Sequence, residues 1–233
     1  MSEQYHKIPN VFKREEKNKK YIDLNNWYTP ELELLSSIPF WYSTEKIDGT
    51  NIRVIWDGNR VEFKGKTDNA QLPPRLVSHL NSLFEYGEEQ FEEEWGETPV
   101  TFYGEGFGSK IQNGGDYFPD SEEGQNEFAL FDVRIEGVWL DYESVNDIAW
   151  KFGLEKAPII HNREKLDTIV DLVNESAKVN YIPTSTFGNK KPIEGYVIKT
   201  DPQLLDKRGK RIIAKVKYED FTKLKERNNE NGK

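Results

Sequence analysis

Asp57-Gly58-Asn59 stands between two stretches that alternate apolar and polar residues, 51–56 and 60–64. Gly and Asn tolerate the positive φ that tight hairpins demand, so the two stretches are predicted to pair antiparallel. Other runs of strand character fall at 40–45, 100–104, 128–135, 195–199 and 211–218. Helical periodicity lies between them. Residues 31–38 place Leu32, Leu35 and Ile38 on one face. A helix opening at Pro73-Pro74 runs towards Trp95, with Leu76, Leu80, Leu83 or Phe84, and Phe91 as its buried stripe and Gly87 as its weak point. Residues 145–152 form another, with Ser144 and Asp147 as a variant capping box and Gly153 as its stop. The last, 163–177, carries Leu166, Ile169, Val170, Val173 and Ala177. Residues 110–126 read as an exposed loop. Strands interspersed with helices imply an α+β fold, mainly antiparallel sheets flanked by helices.

At 233 residues, with neither repeats nor long Gly/Ser linkers, the chain reads as one domain over 1–220, followed by a polar tail at 221–233. Thirteen Phe, eleven Tyr and six Trp argue against wholesale disorder. No window approaches the length of about eighteen apolar residues that a membrane span needs, and residues 1–7 do not read as a signal peptide. Cysteine is absent, which excludes disulfides and thiolate chemistry. A metal would need oxygen or imidazole ligands, and His6, His79 and His161 are far apart in sequence. The expected compartment is the cytoplasm. Formal net charge is -9, which counts against tight general nucleic-acid binding. The charges are uneven, however. Acidic residues gather at 85–97 and 116–127, whereas Lys190, Lys191, Lys199, Lys207, Arg208, Lys210, Arg211, Lys215 and Lys217 crowd the last quarter. An acidic chain can still present one basic face to a phosphate backbone.

Four segments carry residues suited to chemistry. Lys46-Ile47-Asp48-Gly49 follows an apolar strand, so its lysine stands beside a tight turn with its amine free to point into a cleft. Deprotonated and held in line with an α-phosphate, that amine could form a lysyl phosphoramidate and expel pyrophosphate. Taken alone, these four residues fit a surface lysine before an ordinary turn better. Tyr103-Gly104-Glu105-Gly106-Phe107-Gly108 sets a carboxylate among glycines at a strand end, where Glu105 could accept hydrogen bonds from ribose hydroxyls. Glu194-Gly195-Tyr196-Val197-Ile198-Lys199 places a carboxylate before a strand and a lysine near its end. In Ala214-Lys215-Val216-Lys217 the period of two turns both lysines to one face and Val216 to the core. Paired lysines gather poorly unless an anion lies among them, and a triphosphate fits.

Taken in order, these segments and the aromatic-Asp strand at 128–133 resemble the covalent nucleotidyltransferases, the ATP-dependent nucleic-acid ligases and mRNA-capping enzymes. Lys46-Ile47-Asp48-Gly49-Thr50-Asn51 and Phe102-Tyr103-Gly104-Glu105 look like the phage-type RNA ligase branch that seals nicked duplex RNA. The resemblance spans positions 40–220. It implies an adenylyltransferase fold and an ATP-dependent ligase joining 3′-hydroxyl and 5′-phosphate RNA ends through a lysyl-AMP. ATP and Mg²⁺ (or Mn²⁺) would be the cofactors, and the compartment the host cytoplasm if the gene is a phage's.

The same resemblance assigns roles. Lys46 is the nucleophile, with Glu45 against the adenine edge. Asp48 and Gly49 shape the turn, and Asn51 approaches the phosphates. Glu105 holds the ribose. Phe131 stacks on the base, with Phe128 as the alternative; strand alternation keeps them on opposite faces. Glu194 positions the metal through water. Lys199 belongs to the nucleotide site, and Lys215 and Lys217 meet the α-phosphate and pyrophosphate. His79 and His161 are left as structural residues. Two departures stand out. The family's arginine downstream of the nucleophile is matched here only by Lys66, which lacks the bidentate fork. Only residues 218–233 follow Lys217, so no OB-fold or helical C-terminal domain is expected, and a separate nucleic-acid-binding or repair partner is an option. An ATP-dependent DNA ligase shares every motif. A capping guanylyltransferase would call for GTP and an OB-fold. A nucleotide-responsive nucleic-acid-binding module without turnover is the alternative of another class.

Overall fold

A computed structural model describes residues 4–112, 117–118, 124–188 and 191–231. The acidic stretch at 116–127 and the loop at 110–126 therefore lie partly outside the described residues, as does Lys190. In chain order the elements are β1 (Phe12–Arg14), β2 (Ile22–Trp27), α1 (Pro30–Leu35), β3 (Trp41–Glu45), β4 (Thr50–Trp56), β5 (Val61–Gly65), α2 (Pro74–Leu83), α3 (Gly87–Trp95) and β6 (Val100–Gly108). They continue with β7 (Asn126–Ile135), β8 (Val138–Trp139), α4 (Tyr142–Lys151), β9 (Glu155–Lys156), β10 (Ile159–Glu164), α5 (Leu166–Lys178), β11 (Gly195–Thr200), β12 (Ile213–Lys217) and α6 (Tyr218–Asn231). The expected α+β architecture forms, and every strand pairing but β7–β9 is antiparallel.

Two compact units result. The first comprises Met1–His6, Ile47–Ala157 and Thr186–Lys191. Its six-stranded sheet runs β5-β4-β6-β7-β8, with β9 added on β7. The hairpin expected around Gly58 is the β4–β5 pair, Trp56 lying opposite Val61. One sheet face buries Ile52, Val54, Phe102, Phe128 and Leu130 against Leu76, Leu80, Phe91 and Ile148 of α2, α3 and α4. Phe91 is fully buried with its ring 4.8 Å from Phe102. Burial of one such side chain stabilises the unit by about 1.5–3 kcal/mol. The opposite face carries Asn51, Arg53, Tyr103 and Glu105, because Asn51 pairs with Glu105 and Arg53 with Tyr103.

The second unit comprises Lys7–Lys46, Pro158–Ser185 and Pro192–Lys233. Its four-stranded sheet has the order β10-β3-β11-β12. Trp41, Tyr196, Ile198, Ala214 and Val216 point from one face into a core shared with Leu166, Ile169 and Val173 of α5 and Phe221 and Leu224 of α6. Alternation leaves Val197, Lys199, Lys215 and Lys217 on the other face.

Several boundaries differ from the sequence expectation. The run 73–95 is two helices: Phe84 closes α2 at φ -112, and the Gly87 amide bonds Phe84 O at 3.0 Å. A glycine inside a helix costs about 1 kcal/mol, so the chain redirects where continuation is weakest. At α4 the cap is Asp141, not Ser144; its carboxylate accepts from the Ser144 amide at 2.8 Å. A carboxylate at a helix N-terminus also meets the helix dipole favourably. Gly153 does end that helix, at φ +61. Arg163 and Glu164 belong to β10 rather than to α5, because pairing with β3 overrides helical periodicity there. Strand β6 runs through to Gly108 instead of ending at Gly104. Gly104 is in the strand because a Cβ there would come within 2.2 Å of the Phe128 ring. Finally, much of 221–233, read as a polar tail, is helix α6, whose Tyr218, Phe221 and Leu224 recur on one buried face. No helix among the described residues is long and apolar enough to cross a membrane.

Candidate active-site residues

Lys46 follows the last residue of β3, and its amide bonds Gly195 O at 2.9 Å. That bond continues the β3–β11 pairing past Glu45 and fixes Lys46 beside Glu194, the residue before β11. On the other flank of β11, β12 sets Lys217 opposite Gly195 and Lys215 opposite Val197. Glu194 Oε2 lies 2.5 Å from Lys46 Nζ. Its other oxygen, Oε1, pairs with Lys217 Nζ. One carboxylate therefore bridges two lysines on one sheet face, and a third stands beside them.

The charge balance follows. Burial works to raise the Glu194 carboxyl, but Lys46 and Lys217 outweigh it and hold it below its usual value. Burial works to lower Lys217, and the Glu194 hydrogen bond and charge reverse that. Lys215 has no such contact. Burial first, then the charges of Lys217 and Lys46, bring it down to about 8. Three lysines with one carboxylate in direct contact, Glu219 and Asp220 acting on Lys217 from further off, favour an anion at this face. Lys199, further along β11 on the same face, is itself buried.

Glu45 precedes Lys46 at the end of β3. Alternation turns it to the opposite face from Lys215, where it is 2% exposed and accepts from Ser185 Oγ at 2.6 Å. Beside it Ser43 Oγ and His161 Nδ1 are 2.7 Å apart. Burial depresses the His161 imidazole, in keeping with a structural role. His79 pairs with Glu127 at 2.9 Å.

The remaining expected residues are in the first unit. Gly49 packs directly on β6: a Cβ would meet Gly106 O at 2.3 Å and Glu105 Cγ at 2.9 Å. Only glycine brings this turn so close to Glu105, whose strand neighbour is Asn51. Asp48 is tied twice. Its amide donates to Tyr117 Oη at 2.8 Å, and its carboxylate takes Lys191 Nζ at 3.3 Å. Lys191 is 6% exposed and lies 4.9 Å from the centre of the Tyr117 ring. Neither partner was foreseen; Lys191 stood in the sequence only as one of a basic crowd.

On β7 the register skips a residue: Tyr103 faces Asp132 and Gly104 faces Leu130, so Phe131 is the extra residue of a bulge. Phe131 packs with Ile47 and Phe107, and the Tyr5 ring meets it edge-on at 5.1 Å. Tyr5 Oη also donates to buried Asp132 at 2.5 Å. Phe128, by contrast, is fully buried in the helix-side core. Lys66 is exposed beyond β5 and makes no ion pair among the described residues. Near it in sequence, Arg53 is wholly buried, with Nε on Gly65 O at 2.9 Å and its guanidinium on Asp68 at 2.7 Å.

No group of three or more His, Cys, Asp or Glu among the described residues could hold a metal. Among the described residues Glu194 is the carboxylate in contact with the lysine face. That suits Mg²⁺ or Mn²⁺ brought in with a nucleotide, since such ions keep water and phosphate oxygens as most of their ligands.

The model of the RNA ligase family matches residues 39–217 of this chain. No curated relative matches it by sequence. Among solved structures the chain is similar to Naegleria gruberi RNA ligase. With a variant of that enzyme holding ATP and Mn the TM-score is 0.59 at 15% identity, covering 84% of this chain and 54% of that one. With the same enzyme holding PPi it is 0.58 at 18% identity, over 84% and 54%. A third, a variant with AMP and Mn, gives 0.58 at 14%, over 84% and 54%. This chain thus spans about half the length of those ligases, and the likeness is one of fold.

Proposed function

The chain belongs to the RNA ligase family, and from that premise we propose that it is an ATP-dependent RNA ligase acting through a lysyl-AMP on Lys46. The observation that carries this reading is the single carboxylate of Glu194 shared by Lys46 and Lys217, with Lys215 alongside. A lysine so placed is held ready beside cations suited to a polyphosphate.

In the first step Lys46 Nζ, having given up a proton and the Glu194 contact, attacks the α-phosphorus of ATP. An N–P bond forms, the bond to the bridging oxygen breaks, and pyrophosphate leaves. Lys215 and Lys217 neutralise charge on the α-phosphate and the leaving group. In the second step a 5′-phosphate oxygen of RNA attacks the lysyl-AMP phosphorus, which returns the Lys46 amine and leaves a pyrophosphate-linked end. In the third a 3′-hydroxyl attacks the 5′-phosphorus, loses its proton and releases AMP. Glu105 holds the ribose, Phe131 the adenine, and Asn51 the phosphates, while Lys66 serves the joining steps. Glu194 would hold a divalent ion, which when bound supplies further charge neutralisation at the phosphates. Alignment and charge account for the rate of each step. Residues 1–220 constitute the adenylyltransferase domain, the substrate is nicked duplex RNA, a separate nucleic-acid-binding or repair partner is compatible with this organisation, and the compartment is the cytoplasm.

The test is intact mass after incubation with Mg²⁺ and ATP, in parallel with GTP and with Lys46→Ala. A gain of one AMP, reversed by pyrophosphate and absent in the variant, is expected. A GMP gain would move the chain to the capping chemistry. No adduct, after pyrophosphate has removed any preformed one, would leave a binding module. Joining of nicked RNA is then compared with nicked DNA; preference for DNA would overturn the substrate.

A further inference from the structure

The segment joining β11 to β12 ends in a turn of defined shape. Asp206 Oδ1 accepts from the amides of Arg208 at 2.8 Å and Lys210 at 2.9 Å. The Asp206 amide bonds Lys210 O at 2.7 Å, and the Gly209 amide bonds Asp206 O at 2.9 Å. A bridge between Leu205 and Arg211 closes the base. The only acidic residue of the turn thus directs its carboxylate at its own backbone, and those hydrogen bonds hold it below the usual value. Lys207, Arg208 and Lys210 point to solvent.

Some exposed cations have carboxylate partners, as Arg60 has Glu62, Lys151 has Glu94 and Lys178 has Glu175, while others, such as Lys13, Lys19 and Lys66, stand singly without one among the described residues. Among the described residues Lys207, Arg208 and Lys210 have none within salt-bridge range. In a chain of net charge -9 this is a concentrated positive patch on a hydrogen-bonded support, three cations against the one charge of Asp206, which feels Arg208 and Lys210 but pairs with neither. Like charges so close repel, and nothing in the fold gains from them. A polyanion does. Strand β12 leads from this turn to Lys215 and Lys217, and its five residues span roughly 15 Å at about 3.3 Å each. The turn accordingly stands several phosphates away from whatever phosphate those lysines hold.

We infer that the 206–211 turn grips the phosphate backbone of the RNA substrate at a distance from the ends being joined. The identity of the polyanion rests on the RNA ligase reading. The geometry needs no base contact, so the grip is indifferent to sequence, and it adds to the salt dependence of binding.

The experiment compares wild type with the triple variant Lys207→Gln, Arg208→Gln, Lys210→Gln. Fluorescence anisotropy of a labelled nicked RNA duplex, without ATP, is followed across a NaCl titration. The variant should bind at least about tenfold more weakly near 0.1 M salt, and the slope of log K against log salt should shrink by about 2–3. Asp206→Ala, which unpins the turn but keeps its cations, should lose less. AMP labelling of Lys46 should be unchanged in both variants, which also reports that they fold. Wild-type affinity and slope in the triple variant would overturn the inference. So would equal loss of binding to polyglutamate-competed anionic vesicles, which would make the turn a general or membrane anion site. If wild type does not label with ATP, the ligase reading fails, while the RNA titration still decides the turn.

Discussion

Glu194 holds Lys46 at 2.5 Å with one carboxylate oxygen and Lys217 with the other, so the proposed nucleophile and a proposed phosphate lysine share one counter-ion. Removing that charge takes away the carboxylate in contact with Lys46 and Lys217 beside Lys215, and leaves the more distant charges of Glu219 and Asp220 acting on Lys217. An anion then enters without displacing a carboxylate. Glu194→Gln should bind metal-free pyrophosphate several-fold more tightly by calorimetry. Its labelling with ATP should nevertheless fall by on the order of 10²-fold, as when one charge-stabilising group is lost. Loss of both together would make Glu194 a structural residue, and retention of both would remove it from the site.

Lys215 gives the lysine face a pH dependence. Its value of about 8 means that the free protein sheds this proton above pH 8, whereas the unfolded chain keeps it to 10.5. Between those values the unfolded state binds more protons, so this group adds stability as pH rises. Polyphosphate binding has the opposite sign, because the anion prefers the protonated amine. At pH 8.5, tripolyphosphate binding should take up more than about half a proton, measured calorimetrically in two buffers of different ionisation enthalpy. Lys215→Arg, charged throughout, should take up much less. Equal uptake in both proteins would assign the proton elsewhere.

Phe128 and Phe131 should separate cleanly. Phe128 is sealed in the core against Gly104, so Phe128→Ala should cost about 3–5 kcal/mol of stability by denaturant titration. Phe131, half-buried on a bulge, should behave differently. Phe131→Ala should raise KM for ATP roughly tenfold and spare most of the stability, losing about 1–3 kcal/mol of stacking. The opposite assignment of effects would exchange their roles.

The two phenylalanines also mark what the sequence can and cannot convey. Period two alone separates their faces and aligns Lys215 with Lys217, since strand alternation is a local property. Local turn chemistry likewise announces the β4–β5 hairpin. The bulge at Phe131 is not local, because it depends on how β6 and β7 pair, and neither strand signals a skipped residue. Gly104 misleads for a related reason. Glycine usually punctuates, but here it makes room for a ring from another strand. Glu45 is adjacent to Lys46 yet faces away from it, and nothing short of the β3–β11 register decides that Ser185 is its partner. Tyr5 and Lys191 were illegible because each meets its partner across 127 and 143 residues of chain.

Lys191 supplies the remaining prediction. A nearly buried ammonium is costly unless it is paired, and here Asp48 and the Tyr117 ring share it. Asp48 belongs to the Lys46-Ile47-Asp48-Gly49 turn, so the pair fixes the backbone just beyond the proposed nucleophile. Lys191→Met keeps the stem and removes the charge. It should slow AMP labelling by about 10–10²-fold while KM for ATP changes less than about threefold, the pattern of a lost alignment rather than a lost ligand contact. Tyr117→Phe, which removes the acceptor of the Asp48 amide, should act in the same direction, and the double variant should be less than additive. Lys191→Arg should recover part of the rate. If instead KM rises with rate unchanged, Lys191 meets the nucleotide directly; if the rate falls only in step with thermal stability, the contact serves the fold alone.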